Sequence, residues 1–243
     1  MSDWLTARPV AHRGLHDTTA GVIENTPSAF RAAIAGNYAI ECDVQITADG
    51  EAMVYHDDKL GRLTEGTERL AALSAAKLKR VAFKATADHM LTLGELCELV
   101  AGRVALLIEL KSRFDGDRRL AIRAAKTLAR YQGPVAAMSF DPQPIALLKE
   151  VFAPLRRGLV AQRHERAQPG DHNTAHGANY AMHAIAARPQ FLAYRVKDLP
   201  SLVPRFAHSV LGLPLLTWTV RTPQDRALAA RWADQIIFEG FRP

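Results

Sequence analysis

The sequence predicts an α/β protein, a single closed (β/α)8 (TIM) barrel over residues 1–243 with a short insertion after the second strand. Three observations predict it. Short apolar runs alternate with longer helical patterns, as βαβ units on a parallel sheet require. Eight strand candidates can be counted, the number that closes such a barrel. The length of 243 residues matches the roughly 250 of this architecture, and 48% hydrophobic residues supply its core.

The first strand is Pro9-Val10-Ala11. Thr26 is placed to cap a helix that Pro27 opens and Gly36 ends after Ala35. The second strand runs from Ala39 to Ile46. A polar turn at Asp49-Gly50 and an extended piece from Ala52 to His56 follow it. Residues 57–91 read as an excursion on the barrel rim, with Glu68 to Lys79 helical. Then come a helix from Leu93 to Val100 and the third strand, Val104 to Leu110. A helix from Asp117 to Tyr131 leads to the fourth strand, Val135 to Phe140. In the next helix, Gln143 to Phe152, Leu147, Leu148 and Val151 fall at helical spacing. The fifth strand is Gly158 to Ala161, and residues 163–181, rich in Gly, Asn, His and Pro, read as a loop. The sixth strand is Phe191 to Val196. Leu199 to Leu211 is helical, with a kink expected at Pro204. Leu213 to Val220, a helix from Pro223 to Trp232, and Gln235 to Phe238 complete the eight.

The net charge of +6 favours anionic partners in general. The arginines are spread without a dense basic run, so no nucleic-acid partner is expected. Two cysteines, Cys42 and Cys97, make no disulfide framework. No secretory h-region precedes Val10, and no stretch reaches the roughly 18 apolar residues of a membrane span. A soluble, cytoplasmic protein is the expectation.

Barrel enzymes collect their chemistry where strands end at the C-terminal rim. The first strand ends in His12-Arg13-Gly14, the second carries Glu41 and Asp43, the next extended piece ends in His56-Asp57, and the third strand ends in Glu109-Leu110-Lys111. Glu41 and Asp43, two apart, share a strand face, and Cys42 turns toward the helices. Two carboxylates aimed into a barrel need positive charge between them. With Glu109 they form an oxygen set suited to a divalent ion, Mg²⁺ or Ca²⁺. The alternative is a structural network in which Arg13 and Lys111 pair with these acids. His12 and His56 at the same rim have the chemistry of a general acid and a general base. Arg13 and Lys111 suit the oxygens of a phosphate. Trp218, in the Thr217-Trp218-Thr219 end of the seventh strand, is a candidate substrate wall. His172 and His176 lie in the loop and are not read as ligands.

His12-Arg13-Gly14, Glu24-Asn25-Thr26, Glu41-Cys42-Asp43-Val44 and Val54-Tyr55-His56-Asp57, in this order, resemble the signature of the glycerophosphodiester phosphodiesterases. Glu109-Leu110-Lys111 and Thr217-Trp218-Thr219-Val220 extend the resemblance. The family's frequent Thr-Asp-x-Pro-like ending is replaced by Phe238-Glu239-Gly240-Phe241. The resemblance implies a divalent metal at Glu41, Asp43 and Glu109, an acid–base pair in His12 and His56, phosphate contacts from Arg13 and Lys111, and support of the loop by Glu24 through Arg13. The implied reaction is metal-dependent hydrolysis of a small glycerophosphodiester to an alcohol and glycerol 3-phosphate. A close variant takes lysophospholipids, with Phe140, Phe191 and Phe241 available for a greasy groove. A phosphate-binding barrel without turnover is the contrasting reading. A barrel metallohydrolase with an H-x-H first strand is disfavoured by Arg13 following His12.

Overall fold

The computed structural model describes residues 3–163 and 183–243. Its strands are β1 (Val10–Ala11), β2 (Ala39–Ile46), β3 (Ala52–Val54), β4 (Leu106–Leu110), β5 (Val135–Ser139), β6 (Arg156–Ala161), β7 (Phe191–Arg195), β8 (Leu215–Val220) and β9 (Gln235–Phe238). Eight of them pair in parallel, and β1 hydrogen-bonds both β2 and β9, which closes the barrel. The ninth, β3, runs antiparallel to β2 with Val54 opposite Val44. It starts the insertion.

Strand alternation builds two layers. On β2, Ile40, Cys42 and Val44 join the shell between strands and helices, while Ala39 joins the barrel interior and Glu41, Asp43 and Gln45 stack above it. On β4, Leu107 lies inside and Leu106, Ile108 and Leu110 outside. Phe191 fills the interior beside Gly158, whose Cβ position lies 2.3 Å from the Phe191 ring. A glycine on β6 is what leaves room for that ring.

Among the helices are α1 (Pro27–Ala35), α2 (Ala75–Leu78), α3 (Leu93–Val100), α4 (Arg119–Leu128), α5 (Pro142–Val151), α6 (Leu202–Ser209) and α7 (Pro223–Trp232). Capping boxes at Thr92/Glu95 and Thr222/Asp225 start α3 and α7.

Several local expectations are corrected. Thr26 stands at the N-cap of α1, but its hydroxyl donates to the Ile23 carbonyl. Asp88, from the insertion, accepts the Ser28 N–H at 3.2 Å instead. Glu68 to Lys79 is not one helix: a 3-10 turn at Leu70–Ala72 is broken by extended Leu73, and Ser74 caps the short α2 afresh. The break lets Leu70 and Leu78 enter a separate small core with Met53, Tyr55 and Met90, so the insertion is packed in its own right. Pro204 does not kink α6, because it is the third residue of that helix, where its missing N–H costs no internal bond. On α5 the inward residues are Ile145, Leu147 and Leu148, and Val151 is 47% exposed. The loop expected over residues 163–181, with His172 and His176, lies outside the described residues apart from Arg163.

Candidate active site

The chain leaves β1 at His12 and turns sharply, with Arg13 at φ 57° and Gly14 at φ 81°. A Cβ at Gly14 would lie 2.9 Å from Ala29 of α1, so the turn and the helix can meet only over glycine. The turn aims the Arg13 backbone N–H at Glu41 Oε2, 3.0 Å away. The Arg13 guanidinium donates to Glu24 Oε1 at 2.7 Å and sets Nε 3.2 Å from Asp43 Oδ2. Asn25 donates from Nδ2 to the same Asp43 oxygen at 2.9 Å.

Parallel pairing of β2 and β4 puts Asp43 beside Glu109. Glu41, Asp43 and Glu109 are all buried, and each offers one oxygen within 4.8 Å of the others. The Lys111 ammonium lies 2.8 Å from Asp43 Oδ1 and 2.7 Å from Glu109 Oε1. Burial, with the charges of Asp43 and Glu109, pushes the Glu41 carboxyl well above its ordinary pKa. Burial acts alike on Asp43, but Lys111 and Arg13 outweigh it and hold that carboxyl well below its usual range. Glu109 is raised by burial despite Lys111. Burial alone would lower Lys111, yet Asp43 and Glu109 raise it.

The alternative ion-pair network is present at Asp43 and Glu109 but does not take in the Glu41 side chain, whose Oε1 is buried with no hydrogen-bond partner. Three converging carboxylates, one bearing an unanswered oxygen, fit a hard divalent cation. Arginine and lysine neutralise Asp43 and Glu109, but Glu41 receives one backbone N–H and no side-chain donor.

The two histidines face this floor with carboxylates behind them. His12 Nδ1 lies 2.8 Å from Glu239 Oε2, and its Nε2 lies 4.0 Å from Glu41 Oε2. His56 Nδ1 lies 2.8 Å from Asp57 Oδ1. A carboxylate at Nδ1 keeps the ring proton there and leaves Nε2 as the basic nitrogen. Burial lowers the pKa of both rings, against the opposing pull of Glu239 at His12 and of Asp43 at His56. Arg62, from the insertion, grips Asp57 through Nε at 2.6 Å and through a second nitrogen at 3.1 Å. Its guanidinium also reaches Glu24 at 2.7 Å.

A cavity of about 450 Å³ unites the site. His12, Arg13, Glu41, His56, Glu109, Lys111 and Trp218 line it, and Asp43 sits beneath, so all eight candidate residues are brought together. Trp218 donates its indole N–H to the Ala193 carbonyl at 3.1 Å and packs edge-on against Phe140, which also lines the cavity. The other two phenylalanines do not: Phe191 is fully buried in the barrel interior, and Phe241 packs against Phe238. Three further residues, Asn25, Arg62 and Glu239, build the site around these eight. Glu239 follows the last strand directly, so the rim rule that selected His12 would have found it. Arg62 carries no such signal.

The model of the Glycerophosphoryl diester phosphodiesterase family matches residues 12–241. A glycerophosphodiester phosphodiesterase of Caldanaerobacter subterraneus is 30% identical over 164 residues, 63% of this chain and 66% of that protein. The match thus spans just under two thirds of that relative. The crystal structure of the Thermotoga maritima glycerophosphodiester phosphodiesterase superposes with a TM-score of 0.70 at 25% identity, covering 95% of this chain and 94% of that one. An Oleispira antarctica phosphodiesterase, solved in complex with the product sn-glycerol-3-phosphate, shares the fold at a TM-score of 0.79 and 19% identity, over 99% and 96% of the two chains.

Proposed function

This chain belongs to the glycerophosphoryl diester phosphodiesterase family, a family of phosphoric diester hydrolases, and on that premise we propose that it hydrolyses glycerophosphodiesters to an alcohol and glycerol 3-phosphate. The single observation that carries the reading is the pair of carboxylate-backed histidines, His12 and His56, on one cavity whose floor is the buried Glu41, Asp43 and Glu109.

Glu41, Asp43 and Glu109 would hold the divalent metal ion, and their all-oxygen character suits Mg²⁺ or Ca²⁺. When bound, that ion neutralises phosphodiester charge and lowers the pKa of a hydroxyl beside it. Lys111 spends two N–H bonds on Asp43 and Glu109, and its third is available to a phosphoryl oxygen. Arg13 lines the same cavity and completes the phosphate contact. One histidine accepts at Nε2 the proton of the attacking hydroxyl, the glycerol 2-OH, and the other gives a proton to the leaving alcohol. The cyclic phosphate so formed is opened by water with the two roles exchanged. Trp218, locked by its bond to Ala193, walls the substrate.

The chain acts as one domain on a small diester without nucleic acid, and its setting is cytoplasmic. No helix among the described residues is long and apolar enough to cross a membrane.

The test is a chelator-stripped preparation assayed on glycerophosphocholine and on a lysophospholipid, with Mg²⁺, Ca²⁺ and Mn²⁺ returned singly. Metal-restored release of the alcohol is expected, lowered roughly 10²–10⁴-fold in His12→Ala and His56→Ala. Turnover that ignores the chelator, or survives both substitutions, would overturn the mechanism. The preferred substrate separates a glycerophosphodiesterase from a lysophospholipase D.

A further inference from the structure

The cavity's two walls differ in charge. Both lining acids, Glu41 and Glu109, stand on the β2–β4 side, where Lys111 pairs with Glu109 and the Arg13 backbone N–H reaches Glu41. The β7–β8 side carries Arg195, Trp218 and Arg221 and no acid among its lining residues. Arg195 ends β7 directly opposite Trp218 in the sheet register, so its Cα is fixed at the barrel mouth. Arg221 follows β8 and donates to Glu239 Oε2 at 2.8 Å. Arg195 makes no salt bridge and no side-chain hydrogen bond among the described residues, although it borders a site dense in ion pairs.

A guanidinium in such a position has five donors, and no carboxylate among the described residues receives them. Of the residues that line this side of the cavity with it, Phe140, Val160 and Trp218 are mostly apolar, with the indole N–H already spent, and Gln162 and Thr219 are polar but uncharged. An apolar surround strengthens whatever charge pairing the guanidinium makes.

We propose that Arg195, on the cavity that Arg221 also lines, is a specificity-determining residue that recognises a second anionic group, a phosphomonoester or carboxylate, on the alcohol arm of the diester. This rests on the phosphodiesterase reading above and adds the substrate class to it. The phosphodiester itself is held on the far side, by Lys111, Arg13 and the carboxylate floor. A cationic alcohol such as choline would meet Arg195 with like charge and is the disfavoured arm.

The test uses a matched pair, glycerophosphoglycerol and the same diester bearing a terminal phosphomonoester. The wild-type protein is expected to favour the phosphorylated member in kcat/KM by tenfold or more, the scale of a charge-assisted pair. Arg195→Gln abolishes that preference while leaving the neutral member's kcat/KM within about twofold. Arg195→Lys retains part of it, and Arg195→Glu turns the order toward glycerophosphocholine. Arg195 is partly exposed, so unchanged thermal midpoints are expected throughout. Equal losses on both members in Arg195→Gln would place Arg195 on the common phosphodiester and overturn the proposal, as would an unchanged ratio. If no diester is turned over, the reaction has failed but not this inference. The ratio of dissociation constants for the pair, by calorimetry with Ca²⁺ present, then reads the same discrimination, and a ratio of one would reject it.

Discussion

Glu239 Oε2 takes His12 Nδ1 and Arg221 at the same distance, 2.8 Å, and so ties the first strand of the barrel to its last. The two partners respond unequally. Burial still holds the His12 imidazole below its usual pKa, whereas at Glu239 burial is overcome by His12 and Arg221 and the carboxyl falls to about 2. Glu239→Gln removes a charge that raises His12. The limb of the pH–rate profile governed by His12 should therefore move to lower pH, with kcat down roughly 10–100-fold and the binding of divalent metal unchanged. A profile that does not move would mean Glu239 has no part in setting His12.

The same carboxylate makes an acid-stability prediction. A group whose folded pKa lies below its ordinary 4.5 stabilises the fold above that pH, and the contribution is lost as pH falls toward about 2. Urea midpoints of the wild type should decline over this window. Glu239→Gln should start lower and decline less steeply.

Arg62 joins Glu24, the partner of Arg13, to Asp57, the partner of His56. Removing it loosens a phosphate ligand and an acid–base group together. Arg62→Ala should lower kcat/KM about tenfold or more, and Arg62→Lys should restore little, because one ammonium cannot span two carboxylates as a planar fork does. Additive effects of Arg62→Ala and Asp57→Asn would sink the idea that they act as a unit.

Glu41 is buried, repelled by Asp43 and Glu109, and short of a partner at Oε1. Glu41→Gln should raise the thermal midpoint of the metal-free protein. It should also erase the metal-induced stabilisation, which for a native-state ligand at about a hundred times its Kd is about 2.7 kcal/mol. Calorimetric scans with and without Ca²⁺ check both signs. A metal shift of full size in Glu41→Gln would remove it from the ligand set.

Gly158 and Phe191 share one volume inside the barrel, and an added Cβ would lie within 2.3–2.5 Å of the ring. Gly158→Ala should cost about 1–3 kcal/mol by overpacking. In denaturant titrations Phe191→Leu should cost less in the Gly158→Ala background than in the wild type.

What the sequence by itself determined is local in origin. The period-two pattern of Ala39 to Ile46 put Glu41 and Asp43 on the inner face and Cys42 on the outer one, and the rim position after each strand selected His12, His56, Glu109 and Lys111. Short-range chemistry was less legible where a competing partner came from afar: Asp88 took the capping role at α1, and Leu73 broke a helix so that Leu70 and Leu78 could be buried. The tertiary structure alone decided which charges meet. Glu239 reaches His12 across 227 positions of sequence, and Arg62 reaches Glu24 across 38, because closure of β9 onto β1 and folding of the insertion bring them there. No local pattern records such a pairing. The chain writes its strand faces in its own periodicity, but the partner of a buried charge is fixed only when the barrel shuts.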